Sequence, residues 1–313
     1  MTDKKPGLIR RIFQFIGSVL TAIRYAFSLL IVVVLFSIIG GMFANNIQPV
    51  PAEGALYLAP QGVLVDQKRY VDPLAQALAQ GSQQNAETLV RDIVEAIDTA
   101  REDSRITHLL LDTDYMAGGS LSKLQEIGAA LRRFKETDKP IIAVADYFTQ
   151  SQYFLAAHAD EIILNPLGGV MITGFGSYRS YFKDALDKLN ITMNIFRVGQ
   201  YKSAVEPLMG NSMSPQVRDE TGILLTDLWQ SYTSEIEDLR SLDEGSVNDY
   251  ANNLHLSLEQ YKGDSAALSQ AAGLVDTITN RSGIHQYLTA NIAGEEDDFF
   301  SIDMDSYLSN TRL

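Results

Sequence analysis

The sequence predicts an α/β protein, a mostly parallel sheet built from stacked ββα units and preceded by one N-terminal transmembrane helix. Three observations predict it. Segments such as Ile106–Asp112 "ITHLLLD" and Ile141–Asp146 "IIAVAD" are apolar along nearly their whole length, as strands covered on both faces are. Such strands come in close pairs between amphipathic helices, which separates stacked ββα units from a doubly wound sheet that alternates strand and helix singly. The third is Tyr25–Ala44, "YAFSLLIVVVLFSIIGGMFA", a run of 20 residues without a charge. As a helix it is about 30 Å long, the thickness of a hydrocarbon core.

The apolar run is too long for the h-region of a cleaved signal peptide, and Met42-Phe43-Ala44 is a poor small-x-small cleavage site. A retained anchor is therefore expected. Before it stand Lys4, Lys5, Arg10, Arg11 and Arg24 against Asp3 alone, a net of +4, so a total of −14 leaves −18 for the rest. Residues 45–60 carry no basic residue, and the positive-inside rule then puts the N-terminus in the cytoplasm and everything after the span outside, in a periplasm if there is one. An acidic body repels phosphate backbones, which argues against nucleic acid as a partner. With no cysteine, thiol catalysis and disulfides are excluded, and the four scattered histidines lack metal-ligand spacing, so no metal or cofactor is expected.

In chain order, residues 1–24 read as a basic tail, 25–44 as the span, 45–54 "NNIQPVPAEG" as a linker and 55–292 as the folded body. Within the body, Ser120–Phe134 places Leu121, Leu124, Ile127, Leu131 and Phe134 at helical spacing. Lys139-Pro140 breaks the chain before Ile141–Asp146, and a short helix is expected over Ser151–Ala159. Strands Glu161–Asn165 and Val170–Gly176 follow, then a helix over Tyr178–Leu189 and a strand over Met193–Gly199. Ser214-Pro215 is an N-cap with proline at the first helical position, opening a long helix to about Arg240. Helical segments over Ser265–Val275 and near Ile284–Asn291 complete the body. The acidic stretch 293–313 lacks a helical or strand period and reads as a linker to a further segment.

Lys202, in "FRVGQYKSAVEP", invites three readings: an ion pair with Glu206, a lysine snorkelling from a core edge, or a general base. A lysine base must be neutral, which burial or a nearby helix N-terminus can bring about. Ser151 lies at a turn between a buried strand and a helix, where it is either a helix cap or a projecting nucleophile. Gly118 and Gly119, in "AGGS", either make a tight turn or turn backbone N–H groups toward an oxyanion.

The segments "LLLDTDYMAGGSLSKLQEIGAALRRFKETDKPIIAV", "SQYFLAAHADEIILNPLGGVMITGFGSY" and "FRVGQYKSAVEPLMGNSMSPQVRDE" resemble the N-terminal half of the long form of the signal peptide peptidase A (protease IV) family. The resemblance implies a ClpP/crotonase-like fold and Ser–Lys dyad hydrolysis of signal peptides or other apolar peptides at the membrane. It also implies a homo-oligomeric ring, a tetramer favoured. On this resemblance Lys202 is the general base, and Gly118 and Gly119 match the glycine turn near the oxyanion. The family's nucleophile in long members lies in a second repeat, in an "ASGGY"-like turn. Its topological equivalent here is Ser151, followed by Gln152-Tyr153 where that turn would show two glycines. Three functions stay open: a peptidase module contributing Lys202, a single-repeat peptidase pairing Ser151 with Lys202 across subunits, and a non-catalytic anchored scaffold.

Overall fold

The computed structural model describes residues 8–43, 48–70, 86–196, 198–199 and 202–312, with the side chains of its first helix described over 15–37. The chain divides into two units, residues 1–48 and 49–313. The first holds helix α1, Leu8–Phe43. Residues Phe15–Ser37 of this helix are long and apolar enough to cross a membrane. The helix therefore starts well before the uncharged run, because Arg24 interrupts charge neutrality and not helical geometry. Ala44, the expected end of the span, lies outside the described residues.

The second unit is organised by a sheet of six parallel strands in the order β10-β8-β6-β4-β1-β13. These are β1 (Gly54–Leu58), β4 (Ile106–Asp112), β6 (Ile141–Ala145), β8 (Glu161–Leu164), β10 (Thr277–Ile278) and β13 (Ser301–Asp303). Alternate residues feed two cores, as a strand's period of two requires. Leu56, Leu109, Leu111, Ile141, Ala143 and Ile162 face one side, while Ala55, Leu110, Ile142, Val144 and Ile163 face the other. Both sets are apolar because both faces are covered, which is why these strands read as continuous apolar runs.

The paired strands of the sequence part company in space. Strand β2 (Gly62–Val65) lies between β3 (Glu87–Leu89) and β5 (Met116–Gly118), and β7 (Phe148–Thr149) pairs with β9 (Val170–Met171). Each unit thus gives its first strand to the large sheet and its second to a small one before entering a helix. That is the stacked ββα arrangement the sequence predicts. The helices are α2 (Val90–Glu102), α3 (Leu121–Lys135) and α4 (Gln150–Ala156). Val90, Ile93, Ala96, Ile97 and Ala100 of α2 and Leu124, Ile127, Leu131 and Phe134 of α3 bury one stripe each in the larger core. Arg133 grips Asp98 with two bonds, at 3.0 and 2.7 Å, across the two helices.

Beyond β9 come two short helices, α5 (Lys183–Lys188) and α6 (Glu206–Met209), and then α7 (Pro215–Leu239), α8 (Ser246–Gln260), α9 (Ser265–Ala271) and α10 (Arg281–Asn291). The predicted cap is present: Ser214 Oγ accepts from Val217 N at 3.4 Å. His158, fully buried, is hydrogen-bonded through Nδ1 to the Phe154 carbonyl at 3.0 Å, and its Nε2 lies 3.2 Å from an Arg132 guanidinium nitrogen. Arg132 in turn donates to Glu235 of α7 at 2.6 Å. Only a glycine at 128 admits this ring, since a Cβ there would stand 2.5 Å from His158 Nε2.

Four expectations are corrected. The strand expected over Met193–Gly199 is absent among its described residues, 193–196 and 198–199. A strand needs a hydrogen-bonding neighbour, and these residues pair with none of the described strands. Likewise the helix expected over Tyr178–Leu189 contracts to α5, and the strand Val170–Gly176 to β9.

The fourth correction concerns 293–313, expected as a linker. Strands β11 (Gly294–Glu295) and β12 (Asp298–Phe299) form a hairpin, β13 joins the large sheet beside β1, and α11 (Met304–Thr311) packs on α2. A three-residue strand is too short to show alternation, yet Ile302 is buried between two polar neighbours. Asp303 Oδ1 caps α11 by accepting from Ser306 N at 2.9 Å. Arg312 ties its end to Asp92 and Glu95 of α2 at 2.7 and 2.8 Å.

A linker would tolerate truncation, but Tyr307 is 0% exposed. Tyr307→Ala should therefore cost about 3–5 kcal/mol in urea unfolding, as large-to-small changes of buried aromatics do.

A second expectation concerns acid. Burial alone would raise the Glu235 carboxyl, but hydrogen bonds from His158 and Arg132 outweigh it and hold the group at about 2, below its ordinary 4.5. A depressed folded pKa stabilises above the unfolded pKa, and that gain is lost as pH falls through the folded one. Unfolding midpoints should fall between about pH 4.5 and 2, and Glu235→Gln should flatten that part of the profile.

Candidate functional site

The sequence "FTQSQ", residues 148–152, turns from β7 into α4 through a Thr-x-x-Gln capping box: Thr149 N donates to Gln152 Oε1 at 2.7 Å. This places Ser151 in the first turn of the helix, half-buried. Gln152 is buried and its amide donates twice more, to the carbonyls of Thr113 at 2.8 Å and Met116 at 2.9 Å. One side chain thereby fastens the turn between β4 and β5 to the turn that carries Ser151.

The other neighbour, Gln150, fastens a second segment. Its Oε1 accepts from Thr173 N at 3.0 Å and Gly174 N at 2.8 Å, while its carbonyl accepts from the Tyr232 hydroxyl at 2.9 Å. Ser151 is thus held between two glutamines that anchor different strand exits.

Gly118, at the end of β5, meets this serine. Its φ is +129°, a conformation that favours glycine, and a Cβ there would lie 3.4 Å from Ser151 Oγ. Gly119 serves another purpose: a Cβ on it would stand 3.0 Å from Leu64 of β2. The paired glycines therefore answer two demands, a backbone conformation and a close approach between strands.

Lys202 is exposed and leads into a 3₁₀ turn, Ser203–Val205, that runs directly into α6. The stretch is fastened to residues 179–184. Phe182 N donates to the Pro207 carbonyl at 2.7 Å, and Asn211 Nδ2 donates to Asp184 Oδ1 at 2.6 Å. Glu206 is buried and its carboxylate accepts from the Ser214 hydroxyl at 2.5 Å, at the N-terminus of α7. Phe196 and Val198, upstream of Lys202, are 96% and 84% exposed.

The structure therefore brings Ser151 and Gly118 together, sets Gly119 against β2, and holds Lys202 on a separate exposed segment. Sequence reasoning missed Gln150 and Gln152. The capping-box spacing from Thr149 to Gln152 was the available signal; the carbonyls that Gln152 reaches are 36 and 39 positions away and left none. Among the described residues, no group of three or more His, Asp or Glu is placed to hold a metal ion.

Residues 133–291 match peptidase family S49. Over 296 residues the chain is 35% identical to Protease 4 of Haemophilus influenzae, covering 93% of this chain and 47% of that protein. It is 33% identical over 283 residues to Protease 4 of Salmonella typhi, covering 89% of this chain and 45% of that one. Among solved structures, a mutant of the 1510-N membrane-bound stomatin-specific protease aligns over 81% of this chain and 94% of that chain, at 9% identity and a TM-score of 0.34. The chain belongs to peptidase family S49. It spans about half the length of the curated relatives it matches.

Gly118→Ala would force a side chain into a backbone conformation that costs about 1–3 kcal/mol for other residues, and would press its methyl toward Ser151. A lowered thermal midpoint is expected in differential scanning calorimetry.

Proposed function

We propose that this chain is the lysine-bearing module of a membrane-anchored serine endopeptidase, with α1 as the anchor and residues from 49 onward as the peptidase body. Lys202 acts as general base. It takes the proton from a serine hydroxyl as that oxygen attacks the scissile carbonyl, then returns it to the leaving amine. The serine comes from a second unit of the same family. Cleaved signal peptides or other apolar peptides are the substrates, and a homo-oligomeric ring, a tetramer favoured, is the working form. The N-terminus faces the cytoplasm and the body stands on the extracytoplasmic side of the inner membrane.

The observation that carries this reading is the state of the lysine segment. Phe196 and Val198 stand almost fully in solvent, upstream of an exposed Lys202. Exposed apolar side chains of this kind suit contact with another protein surface. Such a surface would also supply the desolvation that a lysine base requires. The relatives' name, Protease 4, supports the hydrolytic class.

A second reading, in which Ser151 is itself the nucleophile and pairs with Lys202 of another subunit, is favoured by the packing of Ser151 against Gly118. A non-catalytic scaffold is the third.

The test is hydrolysis of a chromogenic peptide ester by the purified chain, alone and mixed with the C-terminal half of Haemophilus influenzae Protease 4. Activity only in the mixture, lost in Lys202→Ala and kept in Ser151→Ala, is the expected result. Loss of a positioned base costs about 100- to 10,000-fold in rate. Activity of the lone chain that needs both residues would select the second reading. No hydrolysis in either sample would leave the scaffold.

A further inference from the structure

A cavity away from Ser151 and Lys202 has a volume of about 410 Å³ and opens at the carboxyl ends of β1, β4 and β6. Its position follows from topology. Along the chain the large sheet grows outward as β1, β4, β6, β8 and β10, then the chain returns over α10 to lay β13 on the other side of β1. The crevice outside the carboxyl ends of strands, where the strand order reverses, is where open parallel sheets bind ligands. Tyr57 of β1 and Ser301 of β13 both line it, from the two sides of that reversal. The volume lies within the range of small-molecule sites.

The lining is divided in character. Leu110, Val144 and Leu288 give an apolar floor, part of the smaller core between the sheet and α10. The rim carries Asp112, Asp114 and Asp146, and one guanidinium, Arg281. Arg281 pairs closely with Asp146 and stands 3.7 Å from Asp114. Asp112 accepts from the Tyr57 hydroxyl at 2.7 Å, and Asp114 from the backbone N–H of Asp146 at 2.7 Å. Three carboxylates thus face one cation over a floor that water cannot hydrate well. Burial, with the neighbouring charges of Asp112 and Asp146, raises the Asp114 carboxyl above its ordinary range despite the Asp146 N–H and Arg281. The rim lacks positive charge. The apolar floor beneath these carboxylates suits a cation that carries an apolar chain.

We propose that this cavity binds a primary ammonium or guanidinium group carried on a short apolar chain, with the charge among Asp112, Asp114 and Asp146 and the chain on the Leu110–Val144–Leu288 floor. Either a free alkylamine or a basic side chain of a peptide presents this chemistry. The site requires neither Lys202 nor Ser151 and stands independently of the peptidase reading.

Isothermal titration of the full chain in detergent, with agmatine and with the blocked tripeptide acetyl-Ala-Arg-Ala-amide, tests it. Saturable agmatine binding is expected, with butyrate giving none. Asp112→Asn combined with Asp114→Asn keeps both accepting oxygens, so the fold should survive, yet affinity should drop roughly tenfold or more on losing two charges. Arg281→Ala, at an exposed position, removes the competing cation and should tighten binding; a damaged fold could not produce that direction. Tripeptide binding alongside agmatine would identify a peptide side chain as the ligand, and agmatine alone a free amine. Absence of saturable binding by either cation, unchanged affinity in the double variant, or weaker binding in Arg281→Ala would each overturn the proposal.

Discussion

A sheet whose six strands all run parallel has to be covered on both faces, and the rest of the body follows from that constraint. Parallel neighbours cannot be joined by a hairpin, so each step from β1 to β4, β6 and β8 needs a crossover. The crossovers put α2 and α3 on one face, where Leu56, Leu109, Leu111 and Ile141 meet them. The opposite face, with Ala55, Leu110, Ile142 and Ile163, would be left open without Leu288 of α10 and Ile292 just past its end, which close it. Strand β13 then covers the outer edge of β1, which would otherwise present unpaired backbone groups.

The same constraint builds the candidate site. Because each second strand leaves the large sheet, β5 and the turn after β7 come to the same place from different units. There the buried amide of Gln152 joins them, reaching two carbonyls of the β4–β5 connection while closing the cap of its own helix. Gly118 completes the contact because its φ and the nearness of Ser151 both disfavour a side chain. Buried amides left without partners would be costly, so this network is fixed in geometry once the core has formed.

Lys202 obeys different physics. Its segment is anchored by a few backbone and Asn–Asp bonds, whereas its large apolar residues face outward.

The sequence by itself determined the elements whose signal is local. The apolar strands β4, β6 and β8, the helical stripe of α3, the Ser214 cap and the long apolar N-terminal run are each written within a few consecutive residues. Gly118 was legible as a residue of special conformation, and the motif around Lys202 as a family resemblance. What only the tertiary structure decided depended on distant partners. The run 193–196 has strand-like residues but pairs with no described strand, whereas Ser301–Asp303 has an unremarkable sequence and pairs along the edge of β1. In the same way Gln152 looked like a misfit beside Ser151 until carbonyls 36 and 39 positions away were brought to it. A periodic pattern reports how a segment would fold if it had a neighbour; which segments obtain neighbours is settled by the closing of the sheet.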